Sequence, residues 1–265
     1  LRLKYDRIYP VFWLDILVCV FVSYRKIIAI TIGVLFTVGL ENSYAQRIDS
    51  LRNILLKNDE SDKGVIFMNL FIAYTSKNLD SAMYFASKTN EAAINSGDSL
   101  LSVRALNAIG WVNEQKGNAE TAIEFYQVGL QKARNNRLIN WEKRLLNSLG
   151  VIHNDYGIYD EALKFHFQSL NLREAEQNLS EIAISTNNIG LVYYRIKDYI
   201  KAIEYFERSV QIKEELGNLR RIESTYVNLG LSYSGLVRHE ESLDYFSRVL
   251  NICEDGCADR IKIAA

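Results

Sequence analysis

The stretch that decides the fold is residues 187–206, NNIGLVYYRIKDYIKAIEYF. Gly190 and Ala202 lie there in an apolar, aromatic-rich run that otherwise predicts helix. A glycine in a helix interior costs about 1 kcal/mol relative to alanine, so something must offset it. The same residue types return elsewhere in the chain, and their spacing supplies the reason.

The chain repeats itself every 40 residues. Glycine recurs at Gly110, Gly150, Gly190 and Gly230. A small residue recurs at Ala82, Ala122, Ala162, Ala202 and Ser242. Three places after each small residue stands an aromatic one: Phe85, Phe125, Phe165, Tyr205 and Tyr245. Self-similarity at a fixed period indicates a stacked repeat array.

Each repeat predicts two helices, because the apolar spacing within a copy follows a period of 3.6 residues. The stripes of the fourth copy are Ile189, Val192, Tyr193 and Ile196, then Ile203, Phe206 and Val210. Side chains that can cap a helix recur at the turns: Asn78, Asn118 and Asp198, then Asp98, Asn178 and Asn218. We expect Gly and Ala on facing helices to let the two backbones approach closely, with the large residues interlocking around them.

The residues resemble the tetratricopeptide (TPR) repeat family. The family pattern appears as Tyr226, Leu229, Gly230, Tyr233, Ser242 and Phe246, and as Ile189, Gly190, Tyr193, Ala202 and Phe206. The resemblance implies an all-α fold, an α-solenoid of antiparallel helix pairs in a right-handed superhelix. The five repeats are 59–98, 99–138, 139–178, 179–218 and 219–258. The 40-residue period, instead of the common 34, and the missing repeat-closing proline fit longer helices.

The N-terminal region predicts export. Residues 25–45 begin with a basic pair, continue with an apolar run at 27–40 and end in Ser43-Tyr44-Ala45. This order is typical of a secretory signal cleaved after Ala45, and it predicts a periplasmic protein. The alternative is a membrane anchor through 27–40, although a spanning helix needs about 20 apolar residues.

The remaining segments complete the predicted domain organisation. Residues 1–24 are an N-terminal extension that fits neither reading of the signal region. Residues 46–58 predict a helix leading into the array, and 259–265 resemble the start of a sixth repeat, so we expect the natural chain to continue. Cys253 and Cys257 can pair if oxidised, but two unrelated small residues near a helix end is the favoured interpretation.

Composition and motifs argue against several functions. With 31 basic and 32 acidic residues, no net charge points to nucleic acid, and membrane contact is expected only through the N-terminal signal or a missing C-terminal segment. No catalytic or phosphate-binding motif is present. His153 and His166 are interpreted as core residues of the third repeat rather than a shared metal site. We therefore predict no enzyme activity, metal or cofactor within these residues.

The TPR resemblance also implies a groove that binds protein or extended peptide. The candidate residues are Asn107, Asn147, Asn187, Asn188, Asn228, Trp111, Tyr194, Arg195, Arg104 and Arg144. In TPR proteins such asparagines hydrogen-bond a peptide backbone, since an amide offers donor and acceptor together. The two arginines would meet a carboxylate. The alternative is that the asparagines bridge neighbouring helices.

The layout resembles the periplasmic sensory region of bacterial signalling proteins, in which TPRs precede a membrane helix and a histidine kinase or LuxR-type output. The sequence thus predicts a non-catalytic, exported protein- or peptide-binding scaffold. Two alternatives stay open: a free-standing periplasmic adaptor or assembly scaffold, and the non-catalytic part of an enzyme whose catalytic domain lies beyond residue 265.

Overall fold

A computed structural model describes residues 48–51, 53–55, 60–217 and 222–252 of the 265-residue chain. The chain divides at residue 60, and the described residues before it are helical. The predicted extension, the signal peptide, the Cys253–Cys257 pair and the start of a sixth repeat lie outside the described residues.

Ten helices make up the described part from residue 60 onward. They are α1 (Glu60–Tyr74), α2 (Leu79–Ser96), α3 (Ser99–Gln115), α4 (Ala119–Asn135), α5 (Ile139–Asp155), α6 (Tyr159–Ala175), α7 (Leu179–Ile196), α8 (Tyr199–Glu215), α9 (Ile222–Gly235) and α10 (His239–Ile252). Short turns join consecutive helices from α1 to α8 and α9 to α10, and the described ranges contain no strand.

The helices form five pairs, α1–α2 through α9–α10, and each second helix also packs against the first helix of the next pair. The predicted all-α solenoid is confirmed. The backbones of first helices in successive repeats approach one another closely, whereas second helices in the described part meet through side chains. This pattern is the one expected of a curved stack that has its first helices on the inner side.

The repeated glycine makes room for an aromatic ring. A Cβ built on Gly190 would lie 2.7 Å from the ring of Phe206, and the same holds for Gly230 and Phe246. Tyr126 and His166 occupy this place over Gly110 and Gly150, at 2.6 and 2.5 Å. The glycines do allow close packing, as predicted. However, the closest neighbour of each glycine is an aromatic or imidazole ring 16 residues later rather than the backbone of the facing helix.

The capping predictions are mostly confirmed. The side chains of Asn78, Asp98, Asn178 and Asp198 accept hydrogen bonds from the first turns of α2, α3, α7 and α8, at 2.8–3.3 Å. Asn118 makes no capping hydrogen bond to α4, and its amide nitrogen donates to Asn113 Oδ1 at 3.5 Å. The sixth predicted cap, at 218, lies outside the described residues.

The third repeat carries an ionic core that the sequence did not predict. Lys143 is 1% exposed and occupies the place of Val103 and Ala183 in neighbouring repeats. Its ammonium contacts the Glu176 carboxylate and lies 3.1 Å from Glu181 Oε2. A buried charge is tolerated only when it is paired, and here both partners come from the α6–α7 turn region.

The two histidines of the third repeat occupy packing positions. His153 Nδ1 lies 2.7 Å from the Leu149 carbonyl oxygen, and its ring is 5.2 Å from the Phe165 ring. His166 is buried over Gly150, and its Nδ1 has no hydrogen-bond partner. Burial, with a smaller contribution from nearby Arg173, lowers the pKa of His166 to about 4.

We predict that Gly190→Ala destabilises the protein by about 1–3 kcal/mol, because the added methyl group would overlap the Phe206 ring. Gly129→Ala is the matched control, since its Cβ would lie 3.3 Å from a flexible Leu145 methyl group. Both substitutions gain the same helix propensity. Urea unfolding measures the difference, and equal stability of the two variants would contradict the proposed ring contact.

Acid should destabilise the third repeat through His166. Its folded pKa lies below the ordinary 6.5, so the unfolded state takes up the proton first and stability is lost as pH falls from about 6.5 to 4. We predict that the wild type loses about 2 kcal/mol more than His166→Phe between pH 7.5 and 5. Phenylalanine suits the site because Phe206 fills it in the next repeat. Parallel stability curves from urea unfolding would contradict this.

Candidate functional site

The exposed side of the first helices is the candidate site, here called the inner face. Positions three residues before each repeat glycine and one residue after it are four apart, so they share one side of a helix. The first set, with the position beside it, forms the amide row: Asn107, Asn147, Asn187, Asn188 and Asn228. The second set forms the apolar row: Phe71, Trp111, Val151, Leu191 and Leu231.

Part of the amide row bridges neighbouring first helices. Asn188 Nδ2 donates to Asn147 Oδ1 at 2.8 Å, between α7 and α5. Thr225 Oγ1 of α9 donates to Asn187 Oδ1 at 3.1 Å. This is the bridging arrangement that the sequence left as an alternative, and it leaves each of these amides with donor or acceptor capacity to spare.

The two ends of the amide row differ from its middle. Asn107 and Asn228 are half-buried, and their side chains form no hydrogen bond within the described residues. A half-buried amide without a protein partner must bond to water or to a ligand. At Asn107 and Asn228 an incoming peptide group would therefore break no hydrogen bond within the protein.

The apolar row was missed by sequence reasoning except for Trp111. Its members are half-buried apart from the buried Phe71 and the 40%-exposed Leu231. The rings of Phe71 and Trp111 meet edge to face at 6.2 Å, which makes the row continuous between the first two repeats. The signal was available, because every copy has an apolar residue directly after the glycine position.

The remaining candidate residues lie at the edges of the inner face. Arg104 is half-buried, and exposed Arg144 holds its guanidinium 5.3 Å from the Trp141 ring. Tyr194 packs 5.7 Å from Tyr199, while Arg195 is exposed near the end of α7. The structure therefore places these four on first helices, with two of them held against aromatic neighbours.

Glu114 illustrates how the inner face is tied to the second helices. Its Oε2 accepts a hydrogen bond from the Tyr126 hydroxyl at 2.6 Å. Burial raises the pKa of Glu114, and burial together with this hydrogen bond raises the pKa of Tyr126. Glu114 thus helps to fix the ring that covers Gly110.

Two open clefts lie among the second helices, on the other side of the solenoid. The larger, about 570 Å³, runs between α8 and α10. The smaller, about 190 Å³, lies between α4 and α6 and is also lined by Glu142 and Leu146 of α5. Neither was predicted from the sequence.

The described residues show no group of three or more His, Cys, Asp or Glu side chains placed to hold a metal ion. Nor does any helix in the described ranges combine the length and apolarity needed to cross a membrane.

Comparison with known families identifies the repeats. Residues 103–130 and 181–255 match profiles described as tetratricopeptide repeat. No curated protein matches the sequence. These two ranges are therefore similar to tetratricopeptide repeats.

Solved structures agree on the fold. BtubC (BKLC) from P. vanneervenii is similar with a TM-score of 0.71 at 19% identity, over 81% of this chain and 91% of that one. A signal-transduction STAND ATPase with a tetratricopeptide repeat sensor, from Pyrococcus horikoshii, gives 0.71 at 22% identity, over 80% and 33%. A Rap protein complexed with competence and sporulation factor gives 0.66 at 14%, over 79% and 59%. At these identities the likeness shows the fold alone.

Proposed function

We propose that this protein is a non-catalytic scaffold that binds an extended segment of a partner protein along its inner face. The observation that carries the proposal is the amide row running beside the apolar row over consecutive first helices. Amides suit the partner's peptide groups whatever its sequence, and the apolar row suits its side chains. The two rows together match the two kinds of surface that an extended chain presents.

The spacing of the helices supports an extended ligand. Packed helices lie about 8–10 Å apart, and an extended chain advances about 3.3 Å per residue, so each repeat meets roughly three residues. The Asn188–Asn147 and Thr225–Asn187 hydrogen bonds hold neighbouring first helices together before a ligand arrives. A face organised in advance loses less entropy on binding.

We predict that Asn228→Ala weakens peptide binding about fivefold, the value of one hydrogen bond of about 1 kcal/mol. Trp111→Ala should weaken it by about tenfold or more, because aromatic anchors dominate such interfaces. The probe is a twelve-residue peptide selected against the wild-type protein from a random displayed library, measured by fluorescence anisotropy. Glu124→Ala, exposed on α4, is the control.

Asn228 is a cleaner test than Asn188, because Asn188→Ala also breaks the bond to Asn147. If selected peptides bind Asn228→Ala and Trp111→Ala as tightly as the wild type, the inner face is not the binding site. Thermal melts of both variants separate a lost contact from a lost fold.

We further propose that the array is the exported sensory region of a bacterial signalling protein. Two observations support this proposal: the signal-like residues 25–45, and the likeness to a STAND protein whose repeats are described as a sensor. The chain spans 33% of that protein, so any output domain is inferred. Coding sequence after residue 265 that encodes a membrane helix and a kinase or helix-turn-helix domain would support it.

Export has a direct test. We predict that the protein recovered from cells begins at Gln46, because signal peptidase requires small residues such as Ser43 and Ala45 before the cut. N-terminal sequencing reads the start, and Ala45→Arg should block processing. A chain that keeps residues 27–40 and sediments with membranes would favour the anchor, and an unprocessed chain in the cytoplasm would contradict export.

A further inference from the structure

The cleft between α8 and α10 lies at a groove that is filled by a ring between the preceding two second helices, α6 and α8. In the third repeat Phe167 of α6 meets Tyr205 of α8, ring to ring at 6.0 Å, at the groove between those helices. Forty residues later the same place is held by Glu207, whose carboxylate turns to accept a hydrogen bond from Tyr233 of α9 at 2.8 Å. The space there, about 570 Å³, is open.

The rim of the cleft carries a departure from the repeat. Ile200 is 71% exposed in the first turn of α8. The equivalent residue is acidic in all four other copies: Asp80, Glu120, Asp160 and Glu240. A carboxylate there is stabilised by the helix dipole, so isoleucine forgoes that interaction and leaves apolar surface in water. With Ile203 behind it, Ile200 gives the cleft an aliphatic end.

The cleft also carries acidic groups. Glu204, Glu207 and Glu214 line it along α8. In the described part of the chain none of them forms an ion pair, and Glu214 accepts a hydrogen bond from the neutral Tyr226 hydroxyl at 2.9 Å. The tyrosines orient two carboxylates without neutralising them.

The two arginines that line the cleft are already paired. Arg208 bonds to Glu174 of α6 at 2.6 Å, and Arg248 bonds to Asp244 at 2.9 Å. Neither of these acidic partners lines the cleft. The three glutamates of α8 therefore leave the surface with excess negative charge beside an aliphatic end.

We propose that this cleft binds a basic segment of a second partner protein. An aliphatic side chain of the segment would pack against Ile200 and Ile203, and its lysine or arginine side chains would pair with Glu204, Glu207 and Glu214. From 200 to 214 the helix spans about 21 Å, enough for roughly six extended residues. The cleft lies among second helices and the inner face on first helices, so both can be occupied at once.

The test uses a fluorescein-labelled twelve-residue peptide of alternating leucine and lysine, and a counterpart with glutamate for lysine. Fluorescence anisotropy should show that the lysine peptide binds and that salt weakens binding, whereas the glutamate peptide does not bind. Glu207→Phe, which reproduces Phe167 and fills the cleft, should weaken binding about tenfold or more. Circular dichroism melts check that the variant folds.

Charge reversal gives a matched pair. Glu204→Lys should weaken the lysine peptide about tenfold, and Glu124→Lys should leave it unchanged, since Glu124 holds the same place on α4 and changes the net charge equally. Equal weakening by both would mean non-specific attraction and would overturn the proposal. Unchanged binding by Glu207→Phe and Glu204→Lys, or no binding of the lysine peptide, would do so too.

Two further outcomes would indicate a different binding site for the peptide or a different occupant of the cleft. Loss of lysine-peptide binding in Trp111→Ala but not in Glu207→Phe would place basic peptides on the inner face. A concentration-dependent dimer in sedimentation, abolished by Glu207→Phe, would make a second copy of the chain the occupant. Either result overturns a basic partner in the cleft without touching the proposed role of the inner face.

Discussion

The structure depends on one contact that recurs in four repeats: a ring packed where a glycine lacks its Cβ. Tyr126, His166, Phe206 and Phe246 all fill this place, each 16 residues after its glycine. The ring chemistry varies while the position does not, which shows that shape rather than polarity is required. Close packing of this kind fixes the separation of the two helices in a pair, and the other surfaces follow from that separation.

Once the pairs are fixed, the side chains at each repeat position face the same surroundings, and exceptions must satisfy them. Lys143 takes an apolar place only because Glu176 and Glu181 reach it. His166 takes a ring place but leaves a buried nitrogen without a partner, which is why its neutral form is favoured. The third repeat thus keeps the geometry of the array although it buries a lysine and a histidine. In the fourth repeat the equivalent contact, between Phe206 and Gly190, is entirely apolar.

The fold could be predicted from the sequence because the five repeats keep a 40-residue period and helical apolar spacing although most of their residues differ. The capping residues were also readable, since a cap depends on neighbours three positions away. The pairing of Asn188 with Asn147 was not, because it depends on how two helices 41 residues apart are rotated. The ion pairs of Lys143 could not be predicted for the same reason, because its partners lie 33 and 38 residues later in the chain and no local pattern indicates them. The apolar row was visible in the sequence but gained meaning only when the first helices were seen to contact one another.

Departures from a repeat can be sorted by whether packing explains them. Lys143 departs from its register, yet its charge is paired and its place in the core is filled. Ile200 departs as well, but it replaces the acidic residue of the other four copies and exposes apolar surface. Because Ile200 is 71% exposed, burial does not explain it, whereas burial and ion pairing explain Lys143. A position that copies its neighbours maintains the solenoid, and a position that departs at a cost is where a partner's contribution must be sought.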